Sequence, residues 1–314
     1  MGQVLYIGAV GRSGSTLLER LLGLSGRLAP LGELVHLWER GLRRNESCSC
    51  GRPFRECEFW EAVGVAAFGG WSRLSPDGVI ELQRQVDRTR YLPWLADPSR
   101  APDRFSSAHR RFVDDLIDPL YSGISQVLGP DVIPVDASKH PSYAYLLRRA
   151  PAVDLRVVHL VRDSRGVTSS WSKQVTRPEA DPDGPEPEME RLGTLQAAGR
   201  WTSHNLAFDA LARMGVPTSL LRYELLTQDP IGSMVDATAV LDRPLVADDF
   251  PSPVDGAFDL GVDHTVAGNP ILFDVGPILV RSDHGWKDQL PALDSAVVGV
   301  LTGVLRRHYE RSRG

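Results

Sequence analysis

A chain of 314 residues that is 42% hydrophobic and 24% charged can bury one large α/β core or two small ones, and its composition excludes global disorder, a collagen-like repeat and a coiled coil. Thirty-five Lys and Arg against 40 Asp and Glu leave a net charge of −5 with no long basic run. That argues against a dedicated nucleic-acid binder and leaves any anionic ligand to be held by local groups.

Residues 3–10 form a β-like apolar run, Gly11-Arg12-Ser13-Gly14-Ser15-Thr16 breaks it, and Leu17, Leu18, Leu21 and Leu22 resume at helical spacing. The pattern predicts strand, tight loop, helix. Residues 38–129, rich in Trp, Pro and Arg, are expected as a helical insertion over the site. A second strand is predicted at 132–135, followed by Asp136-Ala137-Ser138-Lys139-His140-Pro141 and a helical stretch at 145–149. A third, 155–161, is nearly all apolar and so buried on both faces, ending at Arg162-Asp163-Ser164 before another helix. Residues 177–190 interleave Pro178, Pro182, Pro185 and Pro187 with acids and read as a mobile loop. A fourth strand, 218–222, leads into Tyr223-Glu224. Strands alternating with helices, three of them ending in polar residues, predict one α/β domain over 1–314. Its central parallel sheet is flanked by helices, with a ligand crevice along the carboxyl edge. The longest apolar stretch, 295–305, is too short to span a bilayer, and no basic region precedes the apolar N-terminal run, so the expected setting is the cytoplasm.

A glycine-bearing turn feeding a helix N-terminus presents backbone N–H groups and a positive dipole end to an anion, which makes residues 8–16 a phosphate cradle. A nucleoside-triphosphate loop places Lys directly after the last Gly. Here that position is Ser15, and the nearby cation, Arg12, precedes Gly14.

Arg12-Ser13-Gly14-Ser15-Thr16-Leu17-Leu18 resembles the 5′-phosphosulfate loop of sulfotransferases, which runs Arg or Lys, Ser, Gly, Thr or Ser, Thr into a hydrophobic helix. The resemblance implies a P-loop-like sulfotransferase fold and 3′-phosphoadenosine 5′-phosphosulfate (PAPS) as donor, with PAP as product. Such enzymes hold the 3′-phosphate with an Arg at a strand end and a Ser eight residues on; Arg162 and Ser170 match that spacing. A dianionic phosphate asks for that chemistry in any case, an always-charged planar donor plus hydroxyl and backbone N–H groups. Residues 221–230 look like the family segment whose Tyr, here Tyr223, lies by the adenine. Arg281 followed by Gly285-Trp286-Lys287 is similar to the segment that closes on the 3′-phosphate, which makes Arg281 and Lys287 donor contacts by resemblance.

Sulfuryl transfer needs cations over the bridging and equatorial oxygens and a base near the acceptor hydroxyl. Arg12 and Lys139 are the expected cations, Lys139 standing where several family members carry a donor-contacting Lys. Three residues compete as base. Glu33, in Pro30-Leu31-Gly32-Glu33-Leu34, stands where Golgi and several bacterial members carry a catalytic Glu. His140 follows Lys139 directly, whereas the cytosolic animal enzymes place their His two residues after the Lys. His264 precedes Gly268-Asn269-Pro270 and is a third possibility. Cys48, Cys50 and Cys57 lie in one short segment ending in Phe59-Trp60, like turns of bacterial members. With only His36 near them in sequence, a four-ligand zinc site is not expected, and a Cys50–Cys57 or Cys48–Cys57 disulfide or free thiols stay open. Trp38, Trp60, Trp71 and Trp94 hint at an apolar or aromatic acceptor, against the plainer reading of core. The sequence thus points to a metal-independent PAPS-dependent enzyme with a small-molecule hydroxyl acceptor. A small-molecule kinase and a non-catalytic nucleotide binder of the same fold are the rivals.

Overall fold

The computed structural model describes residues 1–173 and 190–311, so the Pro-rich segment 177–190 lies outside the described residues except for Glu190. In chain order the elements open with β1 (Gly2–Ala9), α1 (Ser15–Gly23) and β2 (Leu28–Pro30). A helical region follows, with α2 (Glu58–Phe68), α3 (Pro76–Val86), α4 (Leu92–Ala96), α5 (Asp103–Phe112) and α6 (Asp118–Leu128). Then come β3 (Ile133–Lys139), α7 (Pro141–Leu147), β4 (Val153–Val161), α8 (Ser164–Ser172), α9 (Thr194–Arg213), β5 (Thr218–Arg222), α10 (Tyr223–Gln228) and α11 (Pro230–Thr238). The chain closes with β6 (Ala257–Leu260), β7 (Gly276–Leu279), α12 (Trp286–Gln289) and α13 (Ala292–Arg311).

Five strands form a parallel sheet in the order β2-β3-β1-β4-β5. β1 is central because its residues 4–9 are apolar or small and buried on both faces: Val4 and Tyr6 pack into one apolar cluster, Leu5, Ile7 and Ala9 into the other. The chain turns to one side of β1 for β2 and β3 and to the other for β4 and β5. The loops leaving β1, β3 and β4 therefore line a crevice at the carboxyl edge. The expected parallel α/β architecture is the observed one.

Several elements depart from expectation. β2, a three-residue edge strand, precedes the helical region, and the antiparallel hairpin β6-β7 lies beyond the sheet. β3 runs on through Asp136, Ser138 and Lys139, residues with the polarity of a loop. They stay in the ladder because the Asp136 carboxylate is satisfied inside, accepting from the Ser138 backbone N–H (2.8 Å), the Ser138 hydroxyl (2.5 Å) and the Tyr121 hydroxyl (2.5 Å). α7 starts at Pro141 rather than near residue 145, since proline is preorganised for the first helical position. Residues 295–305 fall within α13, and among the described residues no helix is long and apolar enough to cross a membrane.

Candidate active site

The first wall of the crevice is the loop between β1 and α1. Gly14 caps α1 at φ +88°, and a Cβ there would lie 2.5 Å from the Tyr223 ring; at Gly11 it would lie 2.6 Å from Trp171. Both glycines let the backbone pass close under aromatic rings. Arg12 also sits in the left-handed region, at φ +72°, a conformation held at a cost where the surroundings impose it. The first N–H groups of α1 have no partner within the helix. Arg12 Nη2 and Ser13 Oγ are buried without a hydrogen-bond partner among the described residues. Buried polar atoms left unmatched are what an anion-binding loop keeps for its ligand. Gly14→Ala should lower unfolding free energy by about 1–2 kcal/mol from the left-handed backbone alone, with more for the displaced Tyr223 ring; urea unfolding measures it.

The second wall starts where β4 ends. Arg162 Nη1 donates to the Arg12 carbonyl (2.9 Å), Nη2 donates to Asp283 (2.7 Å), and the guanidinium lies 4.5 Å from the Tyr223 ring centroid. Ser170, on α8, lines the same cavity. Burial works against the Asp283 charge, but Arg162 and the Gly285 N–H outweigh it and hold the carboxyl below its usual range. Arg281 and Lys287, expected at the 3′-phosphate, are exposed and do not line the cavity. The segment reaches Arg162 through Asp283 instead, and Trp286 packs under the Arg165 guanidinium, 4.5 Å away.

The third wall combines the ends of β2 and β3. Lys139, at φ +67°, pairs with Glu33 at 2.5 Å, and His36 Nε2 lies 3.5 Å from the other Glu33 oxygen. Burial alone would raise the Glu33 carboxyl; Lys139 and His36 outweigh it and bring it down to about 2. Burial also lowers His36, His140 and His204, so at neutral pH all three rings are uncharged and Lys139 carries the ion pair. The His140 ring stands 5.6 Å from that of His36 and 6.4 Å from that of His204.

Glu33 is fixed from behind. A Cβ on Gly32, at φ +81°, would lie 2.3 Å from the Val266 carbonyl, and that carbonyl accepts the Glu33 N–H (2.8 Å). Glu19, fully buried, accepts from the N–H groups of Leu31 and Gly32 at 3.0 and 2.6 Å. The Ser138 hydroxyl accepts the Val35 N–H (2.9 Å), tying the turn after Glu33 to β3.

These walls enclose a cavity of about 770 Å³, within the usual range for small-molecule sites. Of the residues singled out in the sequence, Arg12, Gly14, Ser15, Thr16, Glu33, Lys139, His140, Arg162, Ser170 and Tyr223 line it; Ser13 is buried beneath the loop. Sequence reasoning missed His36 as a cavity residue, as well as His204 and Arg200 on α9 and Gly268 and Asn269 beyond β6. His36 lies only three residues after Glu33 and pairs with it, while the others come from elements far along the chain that no local motif marks.

Two expectations are corrected. Trp38, Trp60, Trp71 and Trp94 do not line the cavity: the first two are fully buried and the others pack against the same core. The lining includes polar side chains instead, among them Glu39, Arg40, Arg44 and Thr89. His264 is not a cavity residue either. It stands beside Cys48, Cys50 and Cys57, all free thiols, and supplies the fourth side chain that His36 could not.

No family model and no curated protein matches the chain. Among solved structures it is similar to the sulfotransferase domain from the curacin biosynthetic pathway, with a TM-score of 0.50 and 17% identity over 98% of both chains. It is also similar to the sulfotransferase domain from the Synechococcus PCC 7002 olefin synthase, with a TM-score of 0.49 and 19% identity over 96% of this chain and 94% of that one. At such identity the likeness to the curacin domain is one of fold, and the fold here is the α/β sulfotransferase fold.

Proposed function

We propose that the chain is a sulfotransferase that moves the sulfuryl group of PAPS to a hydroxyl of a small polar acceptor, leaving PAP. The observation that carries the reading is the meeting, in one cavity, of the Arg12–Thr16 loop with its buried unpartnered Arg12 Nη2 and Ser13 Oγ, and the Arg162, Ser170 and Tyr223 wall. Those groups fit the donor. Arg12 and the N-terminal turn of α1 would hold the phosphosulfate, Arg162 with Ser170 the 3′-phosphate, and Tyr223 the adenine. Ser15 in place of a lysine after Gly14 removes the cation that a triphosphate needs on its terminal phosphates.

The donor supplies an activated sulfuryl group. The chain must stabilise the charge that grows on the departing phosphate oxygen and take the acceptor's proton. Arg12 and Lys139 are placed for the first task and the Glu33 carboxylate for the second, its second oxygen facing the neutral His36. The polar side chains in the lining, Arg40, Arg44, Glu39 and Thr89, favour an acceptor carrying polar or charged groups over an aromatic one.

Calorimetry with PAP and with ATP tests the donor. PAP should bind more tightly than ATP, and Arg162→Ala should lose about 1.5–3 kcal/mol of PAP affinity, the worth of a charge-assisted hydrogen bond. Because Arg162 gives up Asp283 to meet a phosphate, Asp283→Asn should tighten PAP binding. Unchanged PAP affinity in Arg162→Ala removes the 3′-phosphate assignment, and tighter ATP binding moves the reading to a kinase.

A further inference from the structure

We propose that Cys48, Cys50, Cys57 and His264 form a structural zinc site that clamps the helical region to the segment behind the cavity. The four ligand atoms lie within 4.8 Å of one another. They come from three separated stretches: the turn holding Cys48 and Cys50, the residue preceding α2, and the strand exit after β6, 207 residues beyond Cys57. Tetrahedral zinc, with Zn–S near 2.3 Å and Zn–N near 2.05 Å, sets ligand edges of about 3.8 Å between sulfurs and about 3.6 Å between sulfur and nitrogen. Cys57 Sγ is 3.7 Å from both Cys48 Sγ and Cys50 Sγ. His264 Nδ1 is 3.8 Å from Cys48 Sγ and 3.3 Å from Cys57 Sγ. These four of the six separations are close to a tetrahedron's edges and the other two stay within 4.8 Å, whereas a disulfide would have drawn one sulfur pair together.

The surroundings suit a metal–thiolate centre. Phe59 stacks on the His264 ring at 5.1 Å and 12°, and Trp60 Nε1 donates to the His264 carbonyl at 2.9 Å. Cys48 and Cys57 are buried, while Cys50 and His264 are part-buried at the rim, which leaves a path for entry. With four protein ligands and no open position, the site is of the structural class. On binding, each of the three thiols releases its proton to solvent and His264 gives its Nδ1 lone pair, keeping the proton on Nε2.

The position gives the site a task. Ser49 N–H donates to the Thr265 carbonyl (3.1 Å), Thr265 N–H donates to Ser49 Oγ (2.8 Å), and the Ser49 hydroxyl bonds Asp263, itself paired with Arg20 of α1 at 3.1 Å. Two residues past His264, Val266 holds the Glu33 turn, and Gly268 and Asn269 line the cavity. Zinc here fixes the segment that backs the Glu33 turn. The site itself does not depend on the reaction proposed for the cavity.

Elemental analysis of the purified full chain, prepared without metal-affinity resin and incubated with zinc and then desalted, should find one zinc per chain. His264→Ala and Cys50→Ser should bring it below a fifth of that. Cobalt(II) in place of zinc should show thiolate charge-transfer and tetrahedral ligand-field absorption, and a chelator should lower Tm reversibly, with zinc restoring it. Three thiols should react with a thiol reagent only once metal is removed. A wild-type chain that takes up no zinc while its three thiols react freely overturns the proposal. So does a disulfide among the three cysteines found by mass spectrometry, or stoichiometric iron in place of zinc. Zinc content and cobalt spectra are read without any acceptor, so a failed sulfotransferase assay leaves them standing.

Discussion

Glu33→Gln is expected to lower kcat by ~10²–10⁴ while PAP affinity stays within about threefold. Gln keeps the shape of the side chain and its contact with Lys139 but removes the proton acceptor. The carboxyl sits at about 2, so Glu33 is ionised throughout the working range and accepts a proton only as the acceptor oxygen loses it, late in the transition state. Two consequences separate this role from a merely positional one. The profile of kcat/KM against pH should show no acidic limb from Glu33 or from His204, itself brought down to about 3 by burial beside His140 and Arg200, anywhere between pH 5 and 8. Glu33→Asp, which keeps the charge but shortens the reach, should recover part of the lost kcat where Gln recovers none. Near wild-type kcat for Glu33→Gln, measured with an acceptor found by screening, passes the role to His140, and His140→Asn is then the decisive variant. His264, the third possibility in the sequence, has left the contest because it lies with the cysteines.

The parts of this site that could be read from the sequence are those whose chemistry is local. A strand, a glycine turn and a helix start fall within twenty residues, so the Arg12–Thr16 loop announces itself; Arg162 and Ser170 are joined by a single strand exit and helix. The predicted strand stops at 135, where the apolar run ends, whereas β3 continues to Lys139 because Tyr121 and the Ser138 hydroxyl satisfy the Asp136 carboxylate in the interior. The resemblance of residues 281–287 to the family's closing segment implies donor contacts at Arg281 and Lys287, yet what reaches Arg162 is the neighbouring acid, Asp283. A loosely matched segment does not say which of its side chains faces inward. The support of Glu33 was illegible for a further reason. Gly32 meets Val266 and Cys57 meets His264 across more than two hundred residues of chain, and no periodicity encodes a contact of that separation.

The second large effect is expected at Lys139. Lys139→Met should destabilise the fold by about 3 kcal/mol at pH 7, because it removes the cation in contact with the buried Glu33 carboxylate and leaves only the charges of Arg12 and Arg40 acting on it through space; the Lys139 and Glu33 side chains are only 11% and 13% exposed. Met keeps most of the aliphatic stem and meets the same left-handed backbone at φ +67°, so neither packing nor strain confounds the comparison. The sign of the pH dependence distinguishes this from a simple loss of contacts. In the wild type, Glu33 drops from 4.5 to about 2 on folding, so its contribution, about 3 kcal/mol, is present above pH 4.5 and is lost as pH falls toward 2. Without Lys139 burial dominates and carries the carboxyl above 4.5. Its contribution is then full below pH 4.5 and is lost as pH rises through the new value. Urea unfolding from pH 7 down to pH 4 should therefore narrow the gap between variant and wild type. A gap that stays constant over that range means that the Lys139–Glu33 pair is not what holds Glu33 ionised, and the assignment of Glu33 as a permanently charged proton acceptor falls with it.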